Sequence, residues 1–184
     1  MMWAMKSGEE LCNYLGEEQM AARCKECYDK MVAAAPAVVE QYFKEAQHPT
    51  APGSKQGAAL MALAGIIDAK EANDKVLTVE GARGFSTFYG YYMLQAMAKA
   101  GDYEGAMQVI RDFWGAMIDL GATSFWEDFH TDWIPNAAPI DALVPEGKKD
   151  IHGDFGAFCY VGHRHSLCHG WSAGVIGFMK EENV

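Results

Sequence analysis

The chain has 184 residues, half of them apolar and 22% charged, which fits one soluble-type globular domain with a sizeable core. A net charge of −10 argues against nucleic acid and anionic membranes as partners, because both demand a basic surface. No apolar run reaches membrane-spanning length and the start carries no signal-peptide pattern, so the compartment is left open. The five cysteines are an odd number in a helix-rich chain and read as free thiols rather than a disulfide framework.

Residues 2–15 carry Trp3, Met5, Leu11, Tyr14 and Leu15 and form a first helix, weakened by Ser7-Gly8 and stopped by Gly16. Glu17 and Glu18 suit the start of a second helix. Met20, Cys24, Cys27, Met31 and Ala35 then recur on one face, which predicts an outer helix with one buried stripe, ending near Pro36. On that stripe Cys24-x-x-Cys27 reads as two small hydrophobes, not a redox motif. Val38–Ala46 reads as a helical turn or a strand, and residues 47–53 as a Pro/Gly loop.

Ser54 is placed as the N-cap of a helix over Lys55–Asp68 that is apolar nearly all round, hence buried on all sides. A short helix or turn follows to about Leu77. Gly81-Ala-Arg-Gly-Phe-Ser-Thr-Phe88 lacks the Gly-Lys-Ser/Thr ending of a phosphate loop. It reads as an ordinary helix entry or as an aromatic wall. Ser86–Ala100 is again apolar all round, including Tyr89, Tyr91 and Tyr92. Gly101-Asp102 is a turn with Asp102 as N-cap of a one-faced helix to Leu120, ended by Gly121.

From Gly121 to Gly170 the chain is long, irregular and rich in aromatics and histidines. Such a segment in a compact domain is usually functional. A last helix begins near Trp171. Fully buried helices alternating with one-faced ones predict an all-α fold of αα-hairpins, arranged as inner and outer helices of an α/α toroid; a four-helix bundle is the alternative. The whole of 1–184 is one domain: an outer hairpin and loop (1–53), inner/outer pairs (54–120), the active-site segment (121–170) and the terminal helix (171–184).

Two clusters carry chemistry. In Phe125-Trp126-Glu127-Asp128 a carboxylate beside a large aromatic suits acid/base work, since shielding raises a carboxyl pKa. The plainer alternative is a solvated loop carboxylate next to a core tryptophan. Cys159, His163, His165, Cys168 and His169 hold zinc-type donors, but no standard zinc spacing. His165 and His169 are four apart and share a face if the segment is helical. Substrate hydrogen bonding or simple packing is the stronger reading, and no metal or other cofactor is assigned.

Three motifs, Gly84-Phe-Ser-Thr-Phe-Tyr-Gly-Tyr-Tyr-Met-Leu94, Gly121-Ala-Thr-Ser-Phe-Trp-Glu127 and Ser166-Leu-Cys-His-Gly-Trp-Ser-Ala-Gly174, resemble the catalytic domain of bacterial α-L-rhamnosidases. These are six-hairpin glycosidases with an (α/α)6 barrel. The resemblance covers about residues 54–180 and is weaker over 1–53. It implies an inverting mechanism in which an acid and a base carboxylate sit roughly 6.5–9.5 Å apart. The family's base lies in Thr-Thr-x-Trp-Glu, matched by Thr123-Ser-Phe-Trp-Glu127 with Ser124 for the second threonine. The resemblance thus implies Glu127 as general base, His169 as a sugar-binding histidine, and Trp126 and Trp171 as stacking walls. Trp133 is a further platform and Phe85 belongs to the candidate aromatic wall. The partner expected is an α-L-rhamnoside-like carbohydrate.

Nothing in residues 1–53 resembles the family's acid motif, and about three hairpins and a final helix are present where a full barrel has six. The expectation is therefore the C-terminal half of such a domain, from a bacterial cytoplasmic or periplasmic parent and inactive alone. Its exposed apolar faces would drive self-association or docking of the missing half. A non-catalytic carbohydrate-binding or structural α/α domain is the alternative.

Overall fold

The computed structural model describes residues 1–45, 54–153 and 165–184. The helices are α1 (Met2–Leu15), α2 (Glu18–Glu45), α3 (Ser54–Leu63), α4 (Ala69–Ala72), α5 (Gly90–Lys99), α6 (Tyr103–Asp119) and α7 (Gly174–Glu182). One π-helical turn, Asn73–Leu77, continues α4, and 3-10 turns lie at Thr131–Trp133 and Gly170–Ala173. The fold is all-α; among the described residues the extended backbone makes only an isolated bridge between Ala137 and Lys149.

Several helix ends follow from single residues. Gly16 takes the left-handed conformation at φ 76°, and its N–H and that of Glu17 close on Asn13 and Cys12. Asp102 caps α6 by accepting the Gly105 N–H at 2.9 Å, and its other oxygen accepts the Asn73 amide at 2.9 Å.

Other boundaries differ from expectation. α3 stops at Leu63, not Asp68, because Gly65 turns left-handed at φ 74°; Asp68 instead caps α4 through the Glu71 N–H. The Ser54 hydroxyl is buried and makes no capping bond. α2 runs straight through Pro36. The lost bond falls on the carbonyl of Val32, an exposed position open to solvent. Val38 to Glu45 is therefore helix, and the expected 47–53 loop lies outside the described residues. Along α2 the expected stripe holds at Cys24, Cys27, Met31 and Ala35, which are half-buried, but Met20 is 50% exposed and Ala21 is buried in its place. Gly8, which looked like a weak point in α1, is where Cys24 comes closest; a Cβ there would stand 3.2 Å from the Cys24 sulfur.

The core lies between α3, α5, α6, α7 and the 121–151 segment. Leu77, Met93, Leu94, Met97, Phe113, Met117, Phe129, Ile151 and Phe178 are all fully buried in it. α5 packs on both α3 and α7, with α6 against its side. Among the described residues, the α1–α2 hairpin contributes only Ala21 to the buried hydrophobic set and leaves Leu11, Tyr14 and Leu15 in solvent.

Two glycines set how closely the helices around α5 approach. A Cβ on Gly174 would lie 2.8 Å from the Tyr91 Cβ, and one on Gly90 would lie 2.6 Å from the Trp114 ring. Trp114 is buried and donates its indole N–H to the Ser172 carbonyl at 3.1 Å, just before α7. Gly90→Ala is expected to push that ring away and cost about 1–3 kcal/mol in urea unfolding. An unchanged midpoint would mean that Trp114 can move freely.

Candidate functional site

The two ends of the irregular stretch meet. Residues 124–127 and 166–169 run side by side, joined by two backbone hydrogen bonds. Glu127 N–H donates to the Ser166 carbonyl at 2.8 Å and His169 N–H donates to the Phe125 carbonyl at 2.7 Å. The Ser124 hydroxyl adds a bond to the Leu167 carbonyl at 2.6 Å. This pairing satisfies backbone groups that a buried loop would otherwise leave unpaired. It also brings Glu127 to His169, 42 positions away in sequence.

The Glu127 carboxylate is held at one oxygen. Oε2 accepts the Ser166 N–H at 3.1 Å, and Oε1 faces His169 Nε2 at 4.0 Å. The Glu127 carbonyl accepts two further bonds, from the Thr87 hydroxyl at 2.6 Å and the Trp171 indole at 2.7 Å. The Trp171 ring lies 4.1 Å from the His169 ring, tilted by 35°. His169 Nδ1 is buried without a hydrogen-bond partner among the described residues. A fixed carboxylate oxygen beside an imidazole, next to a half-exposed indole, can orient a hydroxyl or a water and take a proton from it.

Half-exposed rings continue outward from Trp171. Phe88 lies 5.9 Å from it, Tyr92 lies 5.9 Å from Phe88, and Trp3 of α1 lies 5.8 Å from Tyr92. Phe88 and Thr87 were not singled out from the sequence. The signal was the Gly-rich entry to α5, where Phe85 looked like the wall. The structure turns Phe85 inward and Phe88 outward.

Three of the expected site residues are thus together: Glu127, His169 and Trp171. The other three are elsewhere. Trp126 is 0% exposed and packs edge-on against Phe129 and near His165, so neither ring face is open to a ligand. It is a core tryptophan, not a stacking wall. Phe85 is 1% exposed, with the Lys55 ammonium 5.0 Å over its ring. Trp133 is half-buried among Phe129, His130 and His165.

The histidines divide likewise. His165 is buried; its Nδ1 meets the Ile151 carbonyl at 3.0 Å and its Nε2 receives the Asp128 N–H at 3.1 Å. Those partners select the neutral Nδ1–H form and use both ring nitrogens. His165 is therefore a structural histidine, and residues 165–169 are not helical, so no shared helix face with His169 exists. Among the described residues no group of three His, Cys, Asp or Glu gathers for a metal; Cys159 and His163 lie outside them. Asp128 and His130 form an ion pair at 3.6 Å. Desolvation pushes the Asp128 carboxyl upward, but the His130 bond and charge and the Phe129 N–H outweigh it and hold it below its ordinary value. The Asp128 bond raises His130 in turn, against its own burial.

A cleft of about 530 Å³ lies between α6 and the 80–83 turn, lined by residues including Glu80, Arg83, Arg111, Asp119 and Ile134 but not Glu127. The carboxylate and its imidazole lie instead at the 125–127/166–171 pairing.

Lys55 of α3 is a buried charge. Burial drops its pKa to about 8, with Glu80 pulling the other way, and its ammonium donates to the Gly81 carbonyl at 2.6 Å. Because the folded pKa is below the unfolded one, the unfolded chain binds more protons between pH 8 and the ordinary lysine range, so this group's penalty fades as pH rises. Lys55→Met is expected to be more stable than wild type at pH 7, by at most about 3 kcal/mol. Thermal melts should show the gap narrowing above pH 8; a gap independent of pH would exclude a depressed lysine.

Comparison with protein-family models, with curated proteins and with solved structures finds no match for this chain.

Proposed function

We propose that the chain is the C-terminal part of an inverting glycoside hydrolase of α-L-rhamnosidase type, with Glu127 as its general base. The observation that carries the reading is Glu127 Oε1 at 4.0 Å from His169 Nε2, with Oε2 pinned by the Ser166 N–H. Two distant motifs that resemble the family meet at this one point. In this reading α3, α5 and α7 are successive inner helices of an (α/α)6 toroid, and α2, α4 and α6 are outer ones. The packing of α5 on both α3 and α7 supports that order. The general acid has no counterpart in the resemblance, so the chain alone turns over little or no substrate. Exposed Leu11, Tyr14, Leu15 and Met20 on the α1–α2 hairpin support docking of the missing half or self-association.

The test has three arms. L-Rhamnose should quench tryptophan fluorescence through Trp171. The isolated chain should release no nitrophenol from an aryl α-L-rhamnoside. Sedimentation should show association. Quenching by rhamnose with full retention of function as a binder, even beside the missing half, would favour the second reading, a non-catalytic carbohydrate-binding α/α domain. The row of half-exposed rings from Trp171 to Trp3 favours that alternative. No quenching by any sugar would remove both, and a monodisperse monomer would remove the half-barrel.

A further inference from the structure

We infer that Thr87 and Trp171 are positioning residues that together aim the Glu127 carboxylate, by donating to one atom, the Glu127 carbonyl oxygen. This rests on the reading of Glu127 as the working carboxylate.

The carbonyl has two acceptor sites, and the two donors, at 2.6 and 2.7 Å, use both. Thr87 is 3% exposed and belongs to the entry of α5; Trp171 belongs to the 3-10 turn that opens into α7. Those two helices pack directly on each other. The carbonyl of Glu127 is thereby referenced to a rigid helix pair, while its N–H and Oε2 are referenced to Ser166 on the paired loop. Only Oε1 is left to act, and its direction follows from the other contacts. Sites held through rigid elements keep their geometry, and displacement of a reacting group by about 1 Å costs roughly 100-fold in rate.

Trp171 is 42% exposed, yet its single polar atom points inward to backbone rather than to water. A surface indole gains little by that choice, because water would satisfy the N–H equally well. The inward bond instead sets the ring plane, and that plane lies against the His169 ring. One residue thus orders both members of the Glu127–His169 pair: the carboxylate through its N–H and the imidazole through its face.

The experiment is NMR on the full chain, with each variant's melting temperature followed in parallel. In wild type, Glu127→Gln should move the His169 ring signals and the Trp171 indole N–H signal. Trp171→Phe keeps a ring but removes the donor, and it should shrink the His169 response to Glu127→Gln several-fold. Thr87→Val should do the same, and Thr87→Ser should restore it. A lowered melting temperature with an intact response in either variant would mean that the contacts are structural only and overturn the inference. So would a wild-type chain whose His169 signals ignore Glu127→Gln. Should Thr87→Val not fold, Trp171→Phe and Thr87→Ser decide the matter alone. Sugar takes no part in the measurement, so a chain that fails to bind rhamnose leaves the result standing.

Discussion

Trp126→Ala is expected to lower the unfolding free energy by about 3–5 kcal/mol, the range for removing a large buried aromatic. The ring is wholly buried, and it meets Phe129 edge-on at 5.8 Å and His165 at 6.5 Å. Truncation would open a cavity beneath the 125–127 segment that carries Glu127. Trp126→Phe should cost much less. The buried indole N–H has no hydrogen-bond partner among the described residues, and leaving such a donor unsatisfied costs about 1–3 kcal/mol. Phenylalanine removes that penalty along with part of the volume, so the two effects oppose each other. Urea unfolding of both variants measures this. An alanine variant within 1 kcal/mol of wild type would show that the core position assigned to Trp126 is wrong. Rhamnose quenching in Trp126→Phe should survive, because the sugar-facing ring in this reading is Trp171.

Under the proposed rhamnosidase reading, with the other half of the barrel supplied, Glu127→Gln should lower turnover of an aryl α-L-rhamnoside by about 10²–10⁴-fold, the contribution typical of a positioned general base. Folding should be retained. The amide oxygen of glutamine can still accept the Ser166 N–H, and the backbone bonds to Thr87, Ser166 and Trp171 do not involve the side chain. Rhamnose affinity should change by no more than a few fold, since uncharged hydroxyls do not require the carboxylate's charge. Turnover near wild type would remove Glu127 from the chemistry whatever the sugar. Lost turnover with lost folding would instead mark Glu127 as structural, and the melting temperature separates the two.

Much of the local structure was legible because it depends on residues close in sequence. Gly16, Gly101 and Gly121 end their helices in the left-handed region, and Asp102 caps α6, because those outcomes need only backbone sterics and one short side chain. The missed boundaries were of the same kind: Gly65 stops α3, and an exposed proline failed to break α2 because nothing buried was left unsatisfied there.

The site was legible only in part. The rhamnosidase resemblance singled out Glu127, His169 and Trp171, and the structure brings those three together. Pattern alone did not say which neighbouring aromatic faces out. Trp126 goes inward, while its neighbour Glu127 turns toward His169. Phe85 and Phe88 divide in the same way across the turn into α5, one under Lys55 and the other beside Trp171.

By itself, then, the amino-acid sequence determined the all-helical class, most helix termini and the identity of the carboxylate and imidazole worth watching. Only the tertiary structure decided that residues 125–127 pair with 166–169, that His165 spends both nitrogens on backbone, and that Thr87 and Trp171 converge on a single carbonyl. The reason is the range of the forces involved. Caps and turns close within one turn of chain, whereas these contacts join segments as much as 44 residues apart and exist only once the elements that carry them have packed.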